Sequence, residues 1–513
     1  MRTFLATLCL LLLVASAGAQ TPCSLDNSFA TGGKLISDAS RLGEHILVQA
    51  DGKILIACNP FGNGAAYIKR LNADGSTDLS YGSNGNCTIQ VAEVATRITD
   101  MILLNGEVYL CGTTSTNIGG TNTYPFAAAV GSNGSLLGSF GTSGIKTFPS
   151  SWWQASAIAA DGSGKLYVAG LSSLTNLFVL KLNTSGAYDN TFDGDGIAQL
   201  ATNNNDHWFD VFDLLIDKDN KPVLCGKKYR ANNGSTAPNF WNILAVRFST
   251  SGSPDNTFGN SGVALFNSNT QWFDEGKNIH ALPNGQYIIT GDTYDNTDYD
   301  YTVIRVNNNG TLDNTFGNGG WQIHDLEFNN EFENPLNSAV LPDGRILITG
   351  NQGSGDTVYF CLLMLHPDGT RDNNFAPNGL FKNIFGLNNN SSSSGLAVEP
   401  GGKIILGGYT RTCANGVCGP LSMALARYKS GAVPAGLTSS DMSEPQRLSV
   451  WPNPVAAGQW VFTAPADEIR VYDMSGQLQF RGKGPLPAPG VPGLYRIVSV
   501  HEKSVSSRTL LVR

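Results

Sequence analysis

An aromatic residue followed four positions later by glycine recurs seven times along the chain: Phe29/Gly33, Tyr81/Gly85, Phe140/Gly144, Phe192/Gly196, Phe258/Gly262, Phe316/Gly320 and Phe375/Gly379. The steps from Phe29 to Phe375 average roughly 58 residues, a period that belongs to repeat architectures and not to a single conventional core. Three residues before the aromatic stands Asp26, Asp78, Asp189, Asp255, Asp313 or Asp372, and only the third copy departs, with Leu137.

Between these marks each unit repeats one order of apolar segments, seen as GVALF, NIHALPNG, QYIITGD, YTVIRVNNNG and LDNTFG. Turn pairs such as Asp51-Gly52, Asn284-Gly285 and Asp343-Gly344 separate the second segment from the third. Four short strands per unit describe a propeller blade. A β-helix is the competing architecture, but its coils are much shorter. Turn-strand pairs around Asp51, Asn105, Asp161, Asp219, Asn284, Asp343 and Gly401 predict seven blades.

The segment before the turn is strand a, the innermost; b follows the turn, c is YTVIRVN, and d is GVALF at the outside. On this register the array opens with a strand d (33–37) and closes with a strand c (423–428), so the first strand completes the last blade and removes two open edges. Eleven residues before the aromatic lie Arg70, Lys181, Arg247 and Arg305, matched in sequence to Asp78, Asp189, Asp255 and Asp313. The pairs are read as salt bridges across the c–d loop, with Arg427 meeting Asp26 at the closure.

Charge narrows the partners. With 33 basic and 41 acidic side chains, net −8, the chain lacks the Lys and Arg excess that nucleic acid requires. Glycine is abundant at 59 residues, in keeping with many tight turns. Residues 1–19 carry Arg2, an apolar run from Phe4 to Val14, and Ala17-Gly18-Ala19 before Gln20, the pattern of a secretory signal peptide. No later apolar run has spanning length, so no membrane span is expected in the mature chain.

Export places the cysteines in an oxidising compartment. Cys413 and Cys418 flank the turn Ala-Asn-Gly-Val and are expected to form a disulfide; Cys23 with Cys87 would pair only if two repeats bring them together. Cys58, Cys111 and Cys225 end apolar segments and read as small core residues. No C-x-x-C occurs. No metal site and no cofactor are expected.

The composite of LPDGRILITG turns, VIRVNNNG strands and LDNTFGNGG loops resembles the bacterial delta-60 repeat family over about residues 25 to 430. The resemblance implies an extracellular β-propeller and carries no catalytic signature. A Pro-, Ser- and Thr-rich linker at 431–444 separates this propeller domain, 20–430, from residues 445–513. There Pro452-Asn453-Pro454, Val471-Tyr472-Asp473-Met474-Ser475-Gly476, Gly493-Leu494-Tyr495 and the terminal Arg513 resemble the C-terminal sorting domain of the type IX secretion system. That likeness implies passage of the outer membrane by the type IX machinery, followed by release or surface attachment. The fold expected is all-β: a seven-bladed β-propeller followed by a small Ig-like β-sandwich.

None of G-x-S-x-G, H-E-x-x-H, a P-loop or G-x-G-x-x-G is present. The candidate site is the face where d–a segments and b–c loops emerge. Trp152, Trp153, Trp208, Asp210, Trp272, Asp274, Glu275 and Glu333 lie on the d–a segments of four consecutive units, and Tyr294 on a b–c loop. Aromatic faces take sugar C–H bonds, and carboxylates take hydroxyl or amine hydrogens. The expected role is binding of a glycan or a surface protein by a secreted or outer-membrane-surface protein. A polysaccharide hydrolase or lyase using the same acids, and a structural surface component without ligand, are the competing readings; so is the bland one, in which the aromatics wedge between blades.

Overall fold

The computed structural model describes residues 22–430 except 93, 117–122, 202–208, 231–239, 269–272, 295–297, 327–331, 355–356, 387–388 and 415–416, and beyond them the strands between 450 and 512. The signal-peptide and linker expectations fall outside the described residues.

The fold is all-β and propeller-like; among the described residues the helical structure is one 3-10 turn, Pro377–Gly379. Antiparallel four-stranded units follow one another over 41–89, 95–147, 154–201, 209–266, 273–324 and 332–383. A typical one pairs Gln154–Ala160, Leu166–Ser173, Asn176–Leu182 and Ile197–Ala201 in sequence order. A further unit has strands Asn389–Val398, Ile404–Ala414 and Ser422–Lys429, and its fourth is Lys34–Ala39, from the start of the chain, with Leu35 opposite Leu425. Ser24–Leu25 extends that seam along Tyr428 and Lys429.

Apolar cores lie between consecutive units. Phe178, Val168 and Leu180 pack against Tyr109, Cys111 and Phe140 of the preceding unit. Ile54, Ile56 and Val48 of the first unit share a core with Ile405, Met423 and Leu425 of the last. Each sheet thus buries both faces, and burial of a Val, Leu or Ile contributes about 1.5–3 kcal/mol.

Every strand a carries a bulge at one position, as between Val211 and Asp213 or Gly276 and Asn278. In every unit but the first, where Cys58 stands opposite, strand b places a glycine there: a Cβ on Gly226 or Gly291 would stand 1.9 or 1.8 Å from the carbonyl oxygen of Asp210 or Glu275. The recurrent glycine late in strand b is therefore steric in origin.

The repeated ion pair forms. Nε of Arg70, Arg247 and Arg305 reaches Oδ2 of Asp78, Asp255 and Asp313 at 2.8, 2.8 and 2.7 Å; Lys181 is 3.9 Å from Asp189. Each guanidinium stacks on the repeated aromatic, as Arg247 on Phe258 at 4.7 Å. It also donates to the next unit's c–d loop, through the carbonyls of Ser132, Asn308, Pro367 and, from Arg427, Ala73. A second cation joins from the a–b turn: Lys53, Lys165, Lys221 and Lys403 lie 3.0, 3.1, 2.7 and 2.8 Å from Asp78, Asp189, Asp255 and Asp26.

Cys413 and Cys418 form the disulfide. Cys23 and Cys87 do not pair; both are free buried thiols, because Cys23 packs between the sixth and last units and Cys87 between the first two. Beyond residue 449 a three-stranded sheet joins Val450–Trp451, Trp460–Thr463 and Leu486–Pro487. A four-stranded sheet orders Leu478–Gly482, Glu468–Asp473, Gly493–His501 and Ser504–Val512. No helix among the described residues is long and apolar enough to cross a membrane.

Candidate functional site

The start of strand a pairs with the end of strand b, and that end with the start of strand c, as in Phe273 opposite Tyr294 and Tyr294 opposite Tyr299. The d–a segments and b–c loops therefore share one edge of the units. Neighbouring units touch there through parallel bridges such as Trp241 to Phe273.

The candidate acids are brought together in part, and lysines hold them. Lys227 Nζ lies 2.6 Å from Glu275 Oε1 and 3.8 Å from Asp210 Oδ2, with the Trp241 ring centroid 4.5 Å away. Burial raises the Asp210 carboxyl above its ordinary value against the pull of Lys227. Lys277 sits 2.6 Å from Asp292 and also bonds Asn334; burial pushes the Asp292 carboxyl up to about 6 despite Lys277.

Two other candidates are anchors of the backbone. Asp274 is buried and accepts hydrogen bonds from the Ser268 amide and the Thr293 hydroxyl, each at 2.8 Å. Glu333 is buried and accepts the Leu326 amide with both oxygens, at 2.9 and 3.1 Å.

The aromatics divide. Trp152 is half-buried and packs on Phe178, ring centroids 4.4 Å apart, as a wedge between units. Trp153 next to it is 43% exposed. Tyr294 stacks obliquely on Tyr299 at 5.0 Å, and Tyr229 on Trp241 at 5.0 Å. Trp208 and Trp272 lie outside the described residues.

Sequence reasoning missed the lysines. The signal for Lys227 was CGKKYR, basic where the corresponding segments of other units read TGDTY or TGNQ. It also missed an acidic pair on the innermost strands. Asp100 accepts the amides of Met101 and of Ile158 in the next unit, and Asp213 those of Leu214 and Ile279. Burial, reinforced by the Asp213 charge, pushes Asp100 up to about 8; burial pushes Asp213 up to about 6. His45 lies 3.7 Å from Asp100, and burial lowers its pKa.

The model of the family described as a domain of unknown function (DUF5122) beta-propeller matches residues 49–81, 162–192, 282–316 and 341–375. Each match runs from an a–b turn to a repeated aromatic. The chain carries a repeat-type β-propeller. Among solved structures it is similar to a GH43 endo-arabinanase from Bacillus licheniformis, at 12% identity over 57% of this chain and 95% of that one, TM-score 0.27. It is also similar to Trypanosoma rangeli sialidase, at 11% identity over 95% and 88%, TM-score 0.35, and to the RRP9 WD40 repeats, at 10% over 79% and 100%, TM-score 0.40. These likenesses concern the fold alone. No curated protein matches the chain.

Proposed function

We propose that the protein is a secreted or cell-surface binding protein. It is a seven-bladed wheel, sealed where Lys34–Ala39 lies on Ser422–Lys429, that presents one face to a glycan or protein ligand. On this reading residues 1–19 direct export, and residues 445–513 form a small β-sandwich that engages the type IX machinery. The motifs Pro452-Asn453-Pro454 and Gly493-Leu494-Tyr495 support that role, as do the two small sheets of the tail.

The observation that carries the binding reading is the state of the acids. Glu275 is ion-paired to Lys227, and Asp274 and Glu333 hold backbone amides, while Trp241, Tyr229, Tyr294 and Tyr299 gather at the same edge. Rings beside carboxylates already engaged by a lysine or by backbone amides recognise hydroxyl-rich or peptide surfaces without a free carboxylate pair for acid-base work. One observation favours the hydrolase reading: the raised Asp210 carboxyl beside ion-paired Glu275 has the asymmetry of an acid and its partner.

A glycan array and a polysaccharide-hydrolysis screen on the mature chain test both. Binding lost in Trp241→Ala and Tyr294→Ala but kept in Glu275→Gln supports recognition. Product release that disappears in Asp210→Asn or Glu275→Gln identifies an enzyme.

A further inference from the structure

Where the fifth unit hands over to the sixth, three carboxylates converge. Asp300 comes from strand c of the fifth unit, Asp325 follows its strand d, and Glu333 is the second residue of strand a of the sixth. One oxygen from each lies within 4.8 Å of the other two. Asp300 is 4% and Glu333 1% exposed, so two of the three charges are out of bulk water. Like charges this close in a poorly solvated corner repel strongly. The cation at hand is Arg371, which donates to the Asp325 carbonyl and whose charge acts on Glu333 and Asp325.

A second observation comes from another strand. Gln352 is fully buried, and among the described residues neither its amide oxygen nor its nitrogen has a hydrogen-bond partner. It stands directly opposite Glu333 across the strand pair. Ile346 and Ile348, on the same side of its strand, pack into the core shared with Tyr301 and Val303 of the fifth unit. Alternation along the strand therefore turns Gln352 toward that unit, beside Glu333. A buried amide oxygen left unbonded is destabilising, and a cation at this corner would engage it.

The donors are all oxygen: carboxylates and an amide carbonyl, the set of a hard cation. The neighbouring imidazole, His324, faces Arg371 at 3.5 Å through Nδ1. Calcium takes many protein oxygens in flexible geometry, whereas magnesium keeps several of its waters and binds through one or two carboxylates. We propose that Asp300, Asp325, Glu333 and the side-chain carbonyl of Gln352 bind one calcium ion, tying the fifth and sixth units together at the edge that carries Tyr299. This site is independent of the proposed ligand.

The test is calorimetric titration of calcium chloride into the EDTA-treated mature chain, with thermal unfolding in parallel. One equivalent of calcium binds, magnesium at the same concentration gives a much weaker response, and calcium raises the melting temperature. Asp325 is exposed, so Asp325→Asn folds; it weakens calcium binding about tenfold or more and removes the thermal response. Gln352→Met also weakens binding, yet leaves melting in EDTA unchanged or higher. Absence of calcium binding, equal response to magnesium, or calcium binding unchanged in both variants overturns the proposal.

Discussion

Arg427 donates from Nε to Oδ2 of Asp26 at 2.9 Å, across 401 positions of sequence. The same guanidinium donates to the Ala73 carbonyl of the first unit and stacks on Phe29 at 4.8 Å. In every other unit that has the arginine, its carboxylate partner lies eight residues onward; here it comes from the start of the chain. The contact therefore joins the two ends of the array.

Removing one member of this buried pair strands the other. Asp26→Asn leaves Arg427 and Lys403 facing an amide, with a cost of about 3 kcal/mol. Urea unfolding of the mature chain checks it. Arg305→Met, at a more exposed copy of the pair, costs less.

Gly291 has no room for a side chain, since its Cβ would stand 1.8 Å from the Glu275 carbonyl oxygen. Gly291→Ala displaces strand a and costs about 3 kcal/mol. Gly401, with nothing within 4 Å of its Cβ position, tolerates alanine within about 0.5 kcal/mol. Comparing the two denaturation midpoints decides whether the glycine reflects steric closeness or chain flexibility.

Lys181 occupies the place that arginine takes in four other units, and a cleft of about 410 Å³ opens there, lined by Lys181, Tyr167, Asp161 and Thr250. Thr250 holds the loop position whose carbonyl accepts from the arginine elsewhere. Lys181→Arg fills the cleft, adds that hydrogen bond, and stabilises by about 1 kcal/mol. A lower urea midpoint in the variant contradicts this.

Stability depends on pH in two directions. Hydrogen bonds from Ser80, Thr315 and neighbouring cations hold Asp78 and Asp313 well below the usual range, and Thr191 holds Asp189 at about 2. Depressed carboxyls contribute fully above about pH 4 and lose that contribution as pH falls. Asp213 and Asp100 are raised by burial to about 6 and about 8. Their contribution is complete below the ordinary carboxylate range and is lost as pH rises through those values. The raised pair therefore makes the chain lose melting temperature, relative to an Asp100→Asn, Asp213→Asn variant, as pH rises from about 4 to 8; parallel melting curves for the two chains over that range contradict the raised pair.

Much of the architecture is local and hence readable. The spacing of Asp313, Phe316 and Gly320 marks one turn, and the eight residues between Arg305 and Asp313 mark one loop. The Cys413–Cys418 bridge follows from a short turn. What crosses strands was hidden. Lys53 meets Asp78 only because the a–b turn folds beside the c–d loop, and Lys227 meets Glu275 only because strand b of one unit lies against strand a of the next. Trp152 and Trp153 are adjacent in sequence, yet one packs on Phe178 and the other is exposed, a difference set by backbone direction in a d–a segment. The cause of the strand b glycines lies in a bulge on the partner strand, which only the paired strands reveal.

The closed wheel is tested most directly by a cross-link at its seam. Ile36 and Ala424 are cross-strand partners, so the mature chain carrying Ile36→Cys and Ala424→Cys, oxidised at low concentration, is digested and its disulfide-linked peptides identified by mass. The account predicts an intramolecular bond between positions 36 and 424, made by the folded monomer and absent after oxidation in denaturant. Thiols that stay free at both positions in the folded chain, or bonds only between molecules, would contradict it.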